Sequence, residues 1–271
     1  QPANTTLPHD SPRNESSAAS RLIRAAGPVL ARRGFDKATV REIASIADVN
    51  VAAVSYHFGD KMGLYRAVLV DIRRTRERQY PTPQLDSSDP ESTLLAIVWT
   101  LLSRMLRGKE SGWESQLMMR EIHQPTAVLR EMIQDYFRPL YETLCRTIEL
   151  LIETDHHANF VAERSLASDQ PVAACESGSA ETISQALIPQ IAFGVVGQCH
   201  HHMIAQPVIE QLIDEATRRD HFDLESICRQ ITASTLAACG QENIVQHLQR
   251  LNCMPLAASE PCLSSSSLNE Q

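Results

Sequence analysis

Apolar residues in this chain recur at helical spacing wherever they recur at all, and no stretch shows the strict alternation of a half-buried strand. Leu22, Ile23, Ala26, Val29 and Leu30 set the pattern near the N-terminus. Val128, Met132, Phe137, Leu140, Leu144, Ile148 and Leu151 repeat it at steps of three to five. There is no internal repeat of solenoid length. The spacing therefore predicts an all-α fold, and 271 residues are enough to bury a core in one or two domains.

The punctuation between helices is most informative over residues 16–80. Residues 1–15 are rich in Pro, Asn and Ser and read as a disordered arm. A first helix follows, with a local kink expected at Pro28, whose ring nitrogen cannot bond back toward Arg24. Gly34 stands where that helix should end. Thr39 with Glu42 forms a capping box, each side chain satisfying a backbone N–H at a helix start. Asp48-Val49-Asn50 is a tight turn in which Asp48 tolerates a left-handed backbone. Asn50 then caps a second short helix, Val51 to Phe58. Gly59 stops it, and Asp60 caps a long helix reaching about Gln79.

Two short helices joined by a tight turn are a helix-turn-helix, whose second helix lies in the major groove of DNA. The turn-rich stretch 80–92 marks a boundary, after which residues 81–254 read as a helical body. Within the body, 155–181 lack sustained periodicity and read as a flexible excursion. A last amphipathic piece, 242–251, precedes a disordered tail over 255–271.

Charge supports this division. Residues 13–80 carry 13 Lys and Arg against 7 Asp and Glu, whereas 81–271 carry 12 against 25. A basic head on an acidic body suits a nucleic-acid-binding domain joined to something else. No apolar run approaches the roughly 20 residues of a membrane span. The N-terminus has no apolar signal core, so a cytoplasmic location is the expectation. Seven scattered cysteines include no CxxC pair, which argues against a zinc ribbon or a disulfide framework. In Cys199-His200-His201-His202 adjacent side chains diverge by about 100°, and no i, i+4 histidine pair exists, so no metal site is expected. No GxSxG, HExxH or glycine-rich phosphate loop occurs, and neither catalytic residues nor a cofactor are expected.

At this level the resemblance to a family is specific. The segment "LIRAAGPVLARRGFDKATVREIASIADVNVAAVSYHFGDKMGLYRAV" is similar to the DNA-binding domain of the TetR family of bacterial regulators. "RGF", "TVREIA", "SYHF" and a lysine three positions after that phenylalanine occur in family order across about 18–70. Asp48 replaces the usual glycine, Met62 a usual acidic residue, and Pro28 is unexpected in the first helix. In the body, "LMMREIHQPTAVLREMIQDYFRPL" and "VVGQCHHHMIAQPVI" resemble the ligand-binding and dimerisation domain of the CerR-type subgroup.

The resemblance implies roles for these positions. Val49, Val54 and Phe58 face inward, with Ile43 and Ala47 behind them. Val51, Ala52, Ala53 and Ser55 face the groove, and Asn50 opens that helix. Thr39, Tyr56, His57 and Lys61 lie at the rim, where the family bonds phosphate oxygens. Arg41 matches a position that can reach a base edge, and arginine on guanine is the commonest specific contact. The bland alternatives are a half-buried Tyr56 ring closing the domain and a solvated Arg41.

The expected protein is a homodimeric repressor on a near-palindromic double-stranded DNA operator. A small effector would release it, and helices over about 182–204 and 223–239 would form the subunit interface. Trp99, Met105, Trp113, Met118, Tyr136, Phe137, Tyr141 and Phe193 are the candidate pocket lining. A metal- or thiol-responsive sensor and a regulator controlled by a protein partner remain open alternatives.

Overall fold

In a computed structural model of the chain, which describes residues 12–107, 112–166, 177–240 and 252, every regular element is helical. Helix packing separates two units: residues 1–78 with 108–132, and residues 79–107 with 133–271.

The first unit begins with α1 (Pro12–Lys37), which buries Leu22, Ala26, Val29 and Leu30. Of the arm expected over 1–15, residues 12–15 are already helical, and 1–11 lie outside the described residues. The bend is not where the sequence puts it. α1 is helical through Pro28, and its non-helical backbone falls at Gly34 (φ 77, ψ 170). Pro28 and Arg24 are both exposed, so water can satisfy the carbonyl that proline leaves unbonded.

α2 (Val40–Ile46), α3 (Ala52–Phe58) and α4 (Lys61–Gln79) follow α1. Ile43, Ala44, Val54, Leu64, Val68 and Leu69 close their core. Each large aliphatic side chain buried here contributes about 1.5–3 kcal/mol.

Two helices expected in the body, α6 (Trp113–His123) and α7 (Val128–Met132), belong to this first unit. The Trp113 ring lies over Gly27 of α1 where a Cβ would stand, a close approach only glycine permits. The Tyr65 hydroxyl donates to Glu121 Oε2 at 2.6 Å, and Arg76 reaches both Glu114 and Ser115 at 3.3 Å. Arg66 Nε approaches both carboxylate oxygens of Glu131, at 2.9 and 3.1 Å. None of these pairings follows from local periodicity.

The second unit is built around α5 (Pro90–Leu106), capped by Asp89, whose side chain accepts from the Ser92 N–H at 3.0 Å. α5 is apolar almost all round and buries Leu94, Leu95, Ile97, Val98, Leu101 and Leu102 accordingly. Against it pack Leu140, Leu144 and Ile148 of α8 (Arg138–Leu166), and Ala192, Val195 and Cys199 of α9 (Ser177–Ile204). Ile227, Ile231 and Leu236 of α12 (Leu224–Cys239) complete the cluster.

The continuous helix expected from Val128 onward is interrupted by a π-helical turn, Ile133–Phe137, before α8. Pro139 follows directly; its missing N–H cannot bond Asp135, which accounts for irregular bonding there. Helix also extends into the stretch expected as an excursion, to Leu166 on one side and from Ser177 on the other. Residues 167–176, the helix expected over 242–251 and the tail from 255 lie outside the described residues. Between α9 and α12 lie two short helices, α10 (Gln206–Leu212) and α11 (Glu215–His221). Asp214 separates them, capping α11 through the Thr217 N–H at 3.0 Å.

Candidate nucleic-acid interface

The geometry of the helix-turn-helix is set by a few short side chains. Thr39 has extended backbone (φ −112, ψ 142), and its Oγ1 accepts the Glu42 N–H at 3.2 Å, starting α2. The reciprocal half of the expected capping box is redirected: Glu42 Oε1 faces Arg33 at 3.2 Å and Arg32 at 3.8 Å. Two guanidinium groups outcompete a single backbone amide for that carboxylate.

At the turn Asp48 takes φ 53, the one non-glycine positive φ among the described residues. Asn50 Oδ1 accepts the Ala52 N–H at 2.9 Å, so the cap acts two residues ahead and α3 opens at Ala52. Gly59 ends α3 at φ 77, and Asp60 Oδ1 accepts the Gly63 N–H at 2.7 Å to start α4.

These caps leave one face of α3 open. Val54 is buried, and Val49 and Phe58 are half-buried, in keeping with their inward roles. Val51 (42% exposed), Ala52, Ser55 and Tyr56 (70% exposed) face solvent, while Ala53 and His57 are half-buried. Tyr56 is therefore not a ring closing the domain; its ring meets His57 edge-on at 4.9 Å. Thr39 and Arg41 are exposed on the neighbouring helix. A row of small side chains flanked by polar groups can seat a helix deep in a groove and grip its rim.

Lys61 is placed differently from the other rim candidates. Its Nζ donates to the carbonyls of Ala38 (3.1 Å) and Asp36 (3.4 Å) and lies 4.4 Å from the Phe35 ring centroid. Lys37, not singled out from sequence, is exposed beside Thr39.

The candidate pocket residues fall in both units. Trp113 and Met118 pack in the first unit. Trp99, Met105, Tyr136, Phe137, Tyr141 and Phe193 lie in the second. There Arg107 stacks on Trp99 at 4.8 Å, Arg104 on Tyr136 at 5.2 Å, and Tyr141 meets Phe193 at 5.5 Å. Phe193 is 65% exposed. Among the Cys-His run, Cys199 is buried and His202 half-buried, its ring edge-on to Phe222.

A helix-turn-helix with a basic head, carried by a separate all-helical unit, defines a DNA-binding transcriptional regulator. Two family models match this division. One, for bacterial regulatory proteins of the tetR family, covers residues 22–68. The other, for the C-terminal domain of the HTH-type transcriptional dual regulator CecR, covers 90–239, more than half of the chain. The chain belongs to the TetR family of transcriptional regulators, with a C-terminal part of the CecR type, the subgroup expected above under the spelling CerR.

It is 27% identical over 122 residues to the probable HTH-type transcriptional regulator YttP of Bacillus subtilis (strain 168), covering 44% of this chain and 58% of that protein. It is 30% identical over 142 residues to the dual regulator CecR of Shigella flexneri, covering 48% and 63%. The chain thus spans less than two thirds of the curated relatives it matches. A solved structure of a candidate fatty acid metabolism regulator from Clostridium perfringens has the same fold. Its TM-score is 0.52 at 16% identity, over 80% of this chain and 97% of that one. These families and relatives are regulators, not enzymes.

Proposed function

We propose that the protein acts as a repressor, binding a near-palindromic operator as a homodimer and releasing it when a small molecule binds the helical body. The open face of α3, with Ala52, Ser55 and Tyr56 exposed, Val51 exposed just before it and Arg41 exposed on α2, is the observation that carries this reading. Arg41 and Ser55 supply polar readout of bases; Thr39, Tyr56 and His57 hold phosphates without regard to sequence. A two-fold dimer requires two-fold DNA, hence the palindrome. Exposed Leu187, Phe193 and Ile204 on α9 offer apolar surface for a second subunit.

The thiols of Cys145, Cys199 and Cys228 are held up by burial, which leaves little thiolate at these three positions. Selection from a random duplex pool should return a near-palindromic site. Arg41→Ala should then relax preference at one base pair per half-site by about 1–3 kcal/mol. Failure to enrich any sequence, or an unaltered preference in the variant, would overturn the assignment.

A further inference from the structure

We propose that Arg104 is a positioning residue for DNA binding: within the second unit it anchors two of the chain connections that lead to the DNA-binding head. The inference rests on the dimeric, DNA-binding reading above. The chain passes between the two units at 78–79, 107–108 and 132–133. Arg104 stands near the end of α5, just before the second of these points. The groups it reaches lie just beyond the first and the third.

Arg104 is enclosed, at 5% exposure. Its Nε donates to the Tyr80 carbonyl at 2.9 Å, and its Nη2 donates to the Thr82 hydroxyl at 3.1 Å. The guanidinium carbon lies 5.2 Å from the centre of the Tyr136 ring, in the π-helical turn. Burying a guanidinium costs free energy that a leucine at this position would not. In return a planar fork bonds along its edge while its face stacks on a ring, which neither a leucine nor a lysine can do at once.

The two connections are built to hold position. Tyr80-Pro81-Thr82-Pro83 sets proline at alternate positions, which locks φ at about −65° at each and stiffens the segment that Arg104 grips. The π-helical turn runs directly into α8, whose Leu140, Leu144 and Ile148 belong to the core cluster. In a dimer, stiff and anchored connections restrict the separations that the two helix-turn-helix units can sample. Half-sites at one fixed spacing are then met at high effective concentration. Freeing the connections would leave each helix-turn-helix unchanged and spread the pair over more separations.

The measurement uses the full chain and three kinds of duplex: the operator returned by the selection above, that operator with one or two base pairs added between its half-sites, and a single half-site. Arg104→Met should weaken operator binding about tenfold and leave half-site binding within about twofold. It should also shrink the penalty for added base pairs, a readout that a simple loss of stability does not move. Thr82→Val, which removes one of the two bonds, should give the same pattern at smaller amplitude. Sedimentation should show the wild-type mass for both variants. The proposal is overturned if Arg104→Met keeps the wild-type operator affinity and spacing penalty, or if half-site binding falls in proportion. A lower sedimenting mass would also overturn it, by placing the role of Arg104 in assembly. Should Arg104→Met not fold, Thr82→Val decides by the same readouts. If the selection enriches no sequence, the DNA-binding reading fails first, and this assignment with it. If it enriches only single half-sites, the dimer reading fails first, with the same consequence.

Discussion

At position 63 a Cβ would overlap the carbonyl oxygen of Phe58, so only glycine lets α4 start this close to the end of α3. The obstacle is backbone, which cannot move aside without displacing α3. Gly63→Ala is expected to cost about 3 kcal/mol, seen as a lower urea midpoint, and to abolish DNA retention. Asp48 is the opposite case, a side chain tolerated where glycine would suit better. Its backbone lies at φ 53, and its salt bridge to Arg21 is long, at 3.9 Å, with the carboxylate fully exposed, so it contributes little. Asp48→Gly relieves left-handed strain but frees the unfolded chain, so a net gain of about 0.5–1 kcal/mol is expected. A fall in thermal midpoint would contradict it. Both sites were partly legible: the turn and Asp48's tolerance follow from residue chemistry, but the clash at Gly63 depends on how two helices meet.

Among the elements, α6 departs furthest from its sequence reading. Its periodicity announces a helix and says nothing of its partner, which proves to be the DNA-binding head. The decisive contact is buried: Glu121 is fully enclosed and accepts from the Tyr65 hydroxyl, from the Thr126 N–H at 2.9 Å and from the Thr126 hydroxyl at 3.0 Å. Three donors let a carboxylate sit in the core, since an unsatisfied one would be costly there. Tyr65→Phe keeps the ring stacked edge-on against Phe35 at 5.2 Å but removes one donor. The expected cost is about 1–3 kcal/mol by urea denaturation, and no loss would show that the bond contributes nothing net. The π-helical turn was hidden for a different reason. Whether the N–H missing at Pro139 yields a bend or a changed turn depends on the packing around it.

For the whole molecule, burial sets the pH window of stability. His202 is held below its usual value, first by desolvation and then by His201. The stability gained by keeping it neutral is therefore complete above about pH 6.5 and is lost as pH falls below that. Cys199 is pushed up by burial, Cys228 up to about 12, and Tyr65 also up by burial and by its bond to Glu121. Their contribution is present below their ordinary values and is lost as pH rises past about 9–10. Thermal midpoints should thus fall on both sides of neutrality, and His202→Phe should remove the fall near pH 6. An acid limb identical in the variant would exclude His202 as its source.

By itself the sequence determined the helical class, the caps that start α2 and α4, and the turn that defines the head. Each of these depends on residues within a few positions of one another. Tertiary structure alone decided that α6 and α7 join that head. It also turned Lys61 inward onto α1, and divided the aromatic pocket candidates between two units. Those outcomes rest on contacts between residues far apart in the chain, where burial and donor supply, rather than local spacing, choose the partner.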